Sequence, residues 1–205
     1  MGDADRLMKW KTKRMMLYAQ FANDVIGTAG ADTGLNAGTP LVATAAGGAA
    51  IGVVQMAAAN DEVSWVIPMP YDLDTSAKVL GRVIFIHAST DADTPIFTLK
   101  SKFHAKQATV VDFDTSEDQS IAFAAHTCST TTSSLEMTAW TDLGWDASFV
   151  SGDALVALLL IASNLGSASA NEIELIGLEL MYQVDAMDKR GRRKTTRSEL
   201  LNQPV

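Results

Sequence analysis

Apolar and polar residues alternate with a period of two through the middle of the chain, and this alternation is typical of β-strands. Residues 97–106 show it most clearly: Phe97, Leu99 and Phe103 fall on one face, and Lys100 and Lys102 fall on the other. The pattern predicts a strand with one buried and one solvated face. Residues 78–87 carry apolar side chains on both faces, which predicts a central strand covered on two sides.

Turn residues separate these strands. Short stretches rich in Asp, Ser, Thr and Gly lie between apolar segments, and no segment with helical periodicity lies between them. The strands are predicted at 63–67, 78–87, 97–106, 108–112, 119–126, 135–141, 154–163 and 172–184. Eight strands at this spacing indicate an all-β antiparallel sandwich or barrel over residues 61–185.

The first 60 residues read as an N-terminal arm and leader. Residues 1–26 fit a helix, with Leu7, Trp10, Leu17 and Phe21 on one face, or a strand, with Lys9, Lys11 and Lys13 alternating with Trp10 and Thr12. Residues 27–60 contain seven glycines, eleven alanines and a single charge, Asp32. Small side chains offer little area to bury, so this leader is predicted to have no regular core-packed structure of its own and to order against neighbouring subunits.

Basic residues are concentrated at the two ends of the chain. Residues 1–14 carry a net charge of +3 and residues 186–205 carry +4, whereas residues 15–185 carry −15. Such segregation predicts that the arm and the basic C-terminal tail, residues 186–205, contact acidic partner surfaces. An alternative is that both ends are merely solvated. The candidate partner-contact residues are Lys9, Trp10, Lys11, Lys13, Arg14, Arg190, Arg192, Arg193, Lys194 and Arg197.

Motifs for catalysis or cofactor binding are missing from the sequence. His87, His104 and His126 lack zinc-ligand spacing, and no hydrolase elbow or P-loop occurs. We therefore expect no enzyme, no cofactor, no metal and no small-molecule substrate. The lone Cys128 cannot form an internal disulfide, and we expect a buried, unreactive thiol because no basic residue lies beside it.

Two binding chemistries remain as alternatives. Three Asp-x-Asp pairs fall in predicted turns, where carboxylates can converge on calcium, although turn formation also explains them. The pairs are Asp72 and Asp74, Asp91 and Asp93, and Asp112 and Asp114. Trp140, Trp145 and Phe149 lie near one loop and fit either a sugar platform or the end of a sandwich core.

The composition also limits the partners and the location of the protein. An acidic body does not suit nucleic acid, so only a tail would reach DNA. The basic start does not read as a secretory signal, which predicts that the protein stays in the cytoplasm of the cell that makes it. The uncharged stretch 41–59 is mostly Ala and Gly, so we expect no membrane span.

Three segments resemble a group of small virion structural proteins of tailed bacteriophages, especially phages of aquatic bacteria. They are residues 62–74 (EVSWVIPMPYDLD), the apolar strand 83–85 and residues 172–182 (EIELIGLELMY). The likeness covers roughly residues 40–185. It implies an Ala/Gly-rich leader followed by a jelly-roll-like antiparallel β-sandwich of about eight strands. The basic tail has no counterpart in the group.

The resemblance further implies a capsid cement or decoration protein on the phage head, which binds between capsomers and stabilises the shell. Its partners would be the major capsid protein and copies of itself, often as a trimer. Other functions stay open: a head-fibre, neck or tail component, or a carbohydrate-binding module for host attachment. The carbohydrate alternative requires Trp140, Trp145 or Tyr71 exposed on one surface.

Overall fold

The computed structural model describes residues 12–22, 24–26, 52–56, 58–70, 72–74, 77–105, 117–145, 155–168 and 172–184. These residues form eleven strands and one short 3-10 helix, Ala19–Phe21, and contain no α-helix. The strands are β1 (Thr12–Tyr18), β2 (Asp24–Ile26), β3 (Val54–Met56), β4 (Glu62–Pro68), β5 (Leu80–His87), β6 (Ile96–His104), β7 (Gln119–Ala122), β8 (Ser134–Met137), β9 (Thr141–Asp142), β10 (Leu155–Asn164) and β11 (Ile173–Gln183).

The strands form two sheets in which every pair of neighbours is antiparallel. Sheet A has the order β1-β11-β5-β8, with β3 also pairing with β11 and β9 with β5. Sheet B has the order β2-β4-β10-β6-β7. This pairing confirms the predicted all-β antiparallel sandwich, although eleven strands are present where about eight were expected.

The core lies between the two sheets and is built from alternate residues of the longest strands. In β10, Val156, Leu158, Leu160 and Ala162 are completely buried, while residues between them face outward. β6 behaves as its alternation predicts: Phe97 and Leu99 are buried in the core, and the intervening Thr98 and Lys100 are half-buried. Burial of this kind is the main favourable contribution to folding.

Most predicted strands are present, with different ends. β5 is central in sheet A, between β11 and β8, as its two apolar faces predict. The predicted strand 135–141 is split into β8 and β9, because Thr138 uses both its amide and its hydroxyl to bond Val83 of β5, each at 3.0 Å. The predicted strand 119–126 ends at Ala122, and the one at 108–112 lies outside the described residues.

The N-terminal segment differs from the prediction. Residues 12–18 form a strand of sheet A, so the strand alternative is correct there and the helical one is wrong. The prediction that the whole leader lacks core-packed structure is wrong at residues 53–56, because β3 pairs with β11 and Val53, Val54 and Met56 are buried. Thus β1, β2 and β3 precede the predicted start of the sandwich at residue 61. Residues 27–51 and the tail 186–205 lie outside the described residues.

We find no helix of membrane-spanning length and hydropathy in the part of the chain that the structure describes.

Candidate interaction surface

Strand β1 lies at the edge of sheet A and carries two basic residues of the predicted arm, Lys13 and Arg14. Its register on β11 places Leu17 opposite Leu178, and both side chains are buried in the core. The alternate residues Arg14 and Met16 lie on the outer face of the sheet, where Met16 is opposite Glu179. β1 is therefore anchored in the core through Leu17 and presents Arg14 and Met16 on the outer face.

Further contacts fix β1 on the body. Lys13 Nζ forms an ion pair with the carboxylate of Asp72. The indole Nε1–H of Trp65, in sheet B, donates to the backbone oxygen of Tyr18 at 3.1 Å, and Ala19 is completely buried. Because β1 and β2 are joined across the 3-10 helix, one chain segment borders both sheets on the same side of the sandwich.

A charged cluster occupies one end of the outer face of sheet A. Arg82 of β5 lies opposite Glu179 of β11 and donates Nε–H to its carboxylate at 2.6 Å. Arg14 Nη1 lies 3.7 Å from the same carboxylate. The guanidinium carbons of Arg82 and Arg14 lie over the ring of Trp140, 4.6 and 5.6 Å from its centroid. Cation–π attraction of this kind favours positive charge at the ring face.

An apolar patch continues the same face away from the charges. Its members are packed together outside the main core and come from β1, β5, β11 and the residue before β3: Met16, Val53, Ile84, Ile86 and Ile176. Val53, Ile86 and Ile176 are buried, and Met16 and Ile84 are half-buried. Beside it, Glu174 is 7% exposed and its Oε2 has no hydrogen-bond partner among the described residues. Burial raises the pKa of Glu174 above its ordinary value, and a hydrogen bond from Gln55 opposes that effect only in part.

The structure describes two of the ten predicted partner-contact residues, Lys13 and Arg14. Each lies against a carboxylate of its own body, Asp72 and Glu179 respectively. The others lie outside the described residues: Lys9, Trp10, Lys11, Arg190, Arg192, Arg193, Lys194 and Arg197.

Sequence reasoning missed Arg82, Trp140 and Glu179 as members of the surface. Arg82 is the one arginine between residues 15 and 185. Its isolation within an acidic body could have marked it as a candidate surface residue. Nothing in the sequence pairs Trp140 with an arginine of β1, because their proximity depends on the order of strands in sheet A.

A second polar cluster lies where β5 ends. His87 is completely buried, with Nε2 at 2.7 Å from Asp93 Oδ2 and Nδ1 at 3.2 Å from the backbone oxygen of Ser129. The hydroxyl of Ser167 donates to the other carboxylate oxygen of Asp93. Because the serine bonds the carboxylate and not the imidazole, the three residues lack the serine–histidine contact of a nucleophilic triad.

His126 and Glu136 extend this cluster across the next loop. His126 Nε2 lies 2.7 Å from Glu136 Oε2, while the Ser134 hydroxyl and the Ser129 amide donate to Oε1 at 2.6 and 2.9 Å. Burial favours a raised pKa of Glu136, but the hydrogen bonds from Ser134, His126 and Ser129 outweigh it and hold the pKa below its ordinary value. This network ties the loop that contains His126 and Ser129 to strand β8.

Cys128 lies beside the same carboxylates and is buried. Burial, followed by the negative charges of Glu136 and Asp93, raises the pKa of its thiol to about 12. A thiol of this kind is not a nucleophile at neutral pH, because the thiolate is the reactive form.

The described Asp-x-Asp pairs do not converge on a cation. Asp72 is bound to Lys13, and Asp93 is turned inward to His87. Asp91 bonds Ser89 of its own turn. No group of three metal-ligating side chains occurs within the described ranges, and Asp112 and Asp114 fall outside them.

The proposed sugar platform does not form as a set. Trp145 is buried, donates its indole N–H to Ser101 Oγ at 3.1 Å and packs edge-on against Phe103, so it belongs to the core. Trp140 is half-buried, with arginines over its ring. Tyr71 and Phe149 lie outside the described residues.

Comparisons with known proteins yield distant likenesses. No protein-family model and no curated protein matches the chain. Among solved structures, it is similar to the CBM35 from Paenibacillus barcinonensis, with a TM-score of 0.34 and 11% identity over 84% of this chain and 99% of that one.

A second similarity is to the family GH115 4-O-methyl-α-glucuronidase BtGH115A, described as specific for decorated arabinogalactans. There the TM-score is 0.32 and the identity 9%, over 65% of this chain and 14% of that one. Likenesses at these scores carry no argument about function. The sandwich assignment stands on the strand pairing itself.

Proposed function

We propose that this chain is a structural protein of a tailed-phage virion, a cement or decoration protein that binds between capsomers of the head. The observation that carries the proposal is the placement of β1: a strand of the basic arm docks on the acidic body through apolar anchors and ion pairs. The same chemistry, applied between neighbouring molecules, would join subunits of a shell. The sequence resemblance to small virion structural proteins supports this function over a catalytic one.

Binding between capsomers needs a wide interface, because ordering the arm and tail on a partner costs several kcal/mol. The outer face of sheet A supplies the charged cluster and, beside it, the half-buried side chains of Met16 and Ile84. The basic tail, residues 186–205, would add contacts to an acidic shell surface.

The direct test is electron cryomicroscopy of phage particles with and without this gene product. We expect the deletion to remove a regular set of projections from the head and to make DNA-filled heads lose their DNA at lower temperature. Heads of unchanged appearance and stability would overturn the proposal. Density lost only at the neck, tail or a fibre would assign the protein to that part of the virion.

A binding assay tests the role of the tail. Heads stripped of the protein are mixed with the full chain, with a chain lacking residues 186–205, or with a variant in which Arg190, Arg192, Arg193 and Lys194 are alanine. Both altered chains should occupy fewer sites and show a weaker dependence on salt, because screening acts over about 10 Å at 0.1 M and about 3 Å at 1 M. Replacement of Lys78 and Lys100 by alanine is the control, since it removes basic residues from the body.

A further inference from the structure

Two guanidinium groups share the single carboxylate of Glu179. Arg82 is hydrogen-bonded to it, whereas Arg14 Nη1 is 3.7 Å away, beyond hydrogen-bond distance, and the Arg14 side chain is 59% exposed. Among the described residues, the Glu179 cluster therefore has two guanidinium groups and one carboxylate, which leaves a net positive charge.

Trp140 holds these guanidinium groups in place. Its ring lies under both of them, at centroid distances of 4.6 Å for Arg82 and 5.6 Å for Arg14. A planar guanidinium that rests on an aromatic ring loses less conformational freedom when it binds, and its parallel N–H groups match the two oxygens of a carboxylate. The two guanidinium groups are therefore better suited to bind an acidic side chain than a lysine ammonium group would be.

We propose that Arg14, Arg82 and Trp140 form a docking site for a carboxylate side chain of a second copy of this chain. The inference rests on the proposed function, which brings copies side by side on the head. Charge complementarity favours another copy as the partner. Residues 15–185 hold twenty carboxylates against five basic residues, so the body of another copy is strongly acidic. Asp91 is one such group, exposed and bonded only within its own turn by the contacts described above.

Two half-buried apolar side chains lie beside the arginines. Surface ion pairs contribute about 0–1 kcal/mol by themselves because water and salt screen them. Met16 and Ile84 lie on the same face as Arg14 and Arg82, whereas Val53, Ile86 and Ile176 are already buried within the chain. Contact of the second copy with Met16 and Ile84 would exclude water from the arginines and strengthen the charged hydrogen bonds.

Self-association of the full chain is the test, measured by analytical ultracentrifugation at about 0.05 M and 0.5 M salt. Arg14→Gln should raise the dissociation constant about tenfold at low salt, and Arg14→Lys should raise it less because the charge remains without the fork. Lys78→Gln is the control, an exposed basic residue that pairs with Asp142 and not with Glu179, and should change the constant less than about twofold. The difference between wild type and Arg14→Gln should shrink at high salt.

Three outcomes would overturn the docking site: a monomeric wild-type chain at high micromolar concentration, wild-type association by Arg14→Gln, or an effect of Lys78→Gln as large as that of Arg14→Gln. Oligogalacturonate is added as an anionic glycan probe. If it binds the wild type, fails to bind Arg14→Gln and no self-association occurs, the arginines bind acidic sugars and the proposed partner is wrong. Arg14-dependent association of a chain that never occupies heads would support the docking site and refute the cement function.

Discussion

The backbone oxygen of Leu17 occupies the space in which a side chain at position 177 would begin: a Cβ added to Gly177 would lie 2.0 Å from it. Gly177 sits at an irregularity of the β11–β5 pairing with φ of 157°. Glycine therefore lets β1 approach β11 closely, and this one position controls whether the arm can dock.

Gly177→Ala should expel or distort β1, because the clash is with backbone and cannot be relieved by a side-chain rotation. We expect a loss of about 2–4 kcal/mol in the free energy of unfolding and fast hydrogen exchange at residues 14–18. Urea denaturation and exchange measured by mass spectrometry check both effects. Gly81→Ala is the comparison, since its Cβ would meet the side chain of the buried Leu143 and not backbone atoms; an equal loss in the two variants would contradict the explanation.

Glu136 should make the protein sensitive to acid. Its pKa is lowered in the folded state by hydrogen bonds that outweigh burial. The stability that it contributes is therefore present above its unfolded pKa, about 4.3, and is lost as the pH falls through the lower folded value. Glu136→Gln should flatten the dependence of unfolding free energy on pH below about 5.

The control for this titration is Asp142. Its pKa is also lowered, first by the hydrogen bond from Lys78 and then by the amide of Gly144. Because the Asp142 side chain is 37% exposed, solvent screens its interaction with Lys78. Asp142→Asn should therefore change the pH dependence of the unfolding free energy less than Glu136→Gln does. Urea midpoints at pH 7, 5, 4 and 3 compare the two variants, and equal slopes would refute the dominant role of Glu136.

Glu174 should behave in the opposite way. Burial raises its pKa, so ionisation costs free energy in the folded state, and this cost grows as the pH rises from the unfolded pKa through the folded one. Glu174→Gln should stabilise the protein by about 1 kcal/mol at pH 7 and have no such effect near pH 3. Glu179→Gln, which removes the negative charge paired with Arg82, should instead destabilise it at pH 7. Thermal unfolding at both pH values checks the signs.

Cys128 should resist alkylation in the folded protein. A pKa of about 12 leaves almost no thiolate at pH 8, and burial excludes the reagent. Iodoacetamide should modify it only after denaturation, as mass spectrometry would show. A cysteine introduced at the exposed Thr12 provides the positive control; rapid labelling of Cys128 in native protein would contradict the prediction.

Local sequence patterns predicted the strands that face the core. They predicted little of the order in which the strands pair. The alternation in 97–106 and the apolar run in 78–87 were sufficient for β6 and β5. By contrast, β3 is only three residues long and lies in an Ala/Gly-rich segment, so no local pattern marks it as a strand. It forms by pairing with β11, about 120 residues later in the chain. The charged cluster was hidden for the same reason: Arg14, Arg82 and Trp140 meet only through the strand order of sheet A.

The pairing of β1 with β11 also constrains when the fold can be completed. Thr12 is opposite Gln183, so the earliest described strand waits for the last one before it can form its ladder. On the ribosome, Leu17 and its apolar neighbours must remain unpaired while the intervening strands emerge, and contacts of such sequence separation form slowly. Completion of sheet A is therefore a late step, and the interval before it is the period in which another chain's β11 could capture the waiting strand.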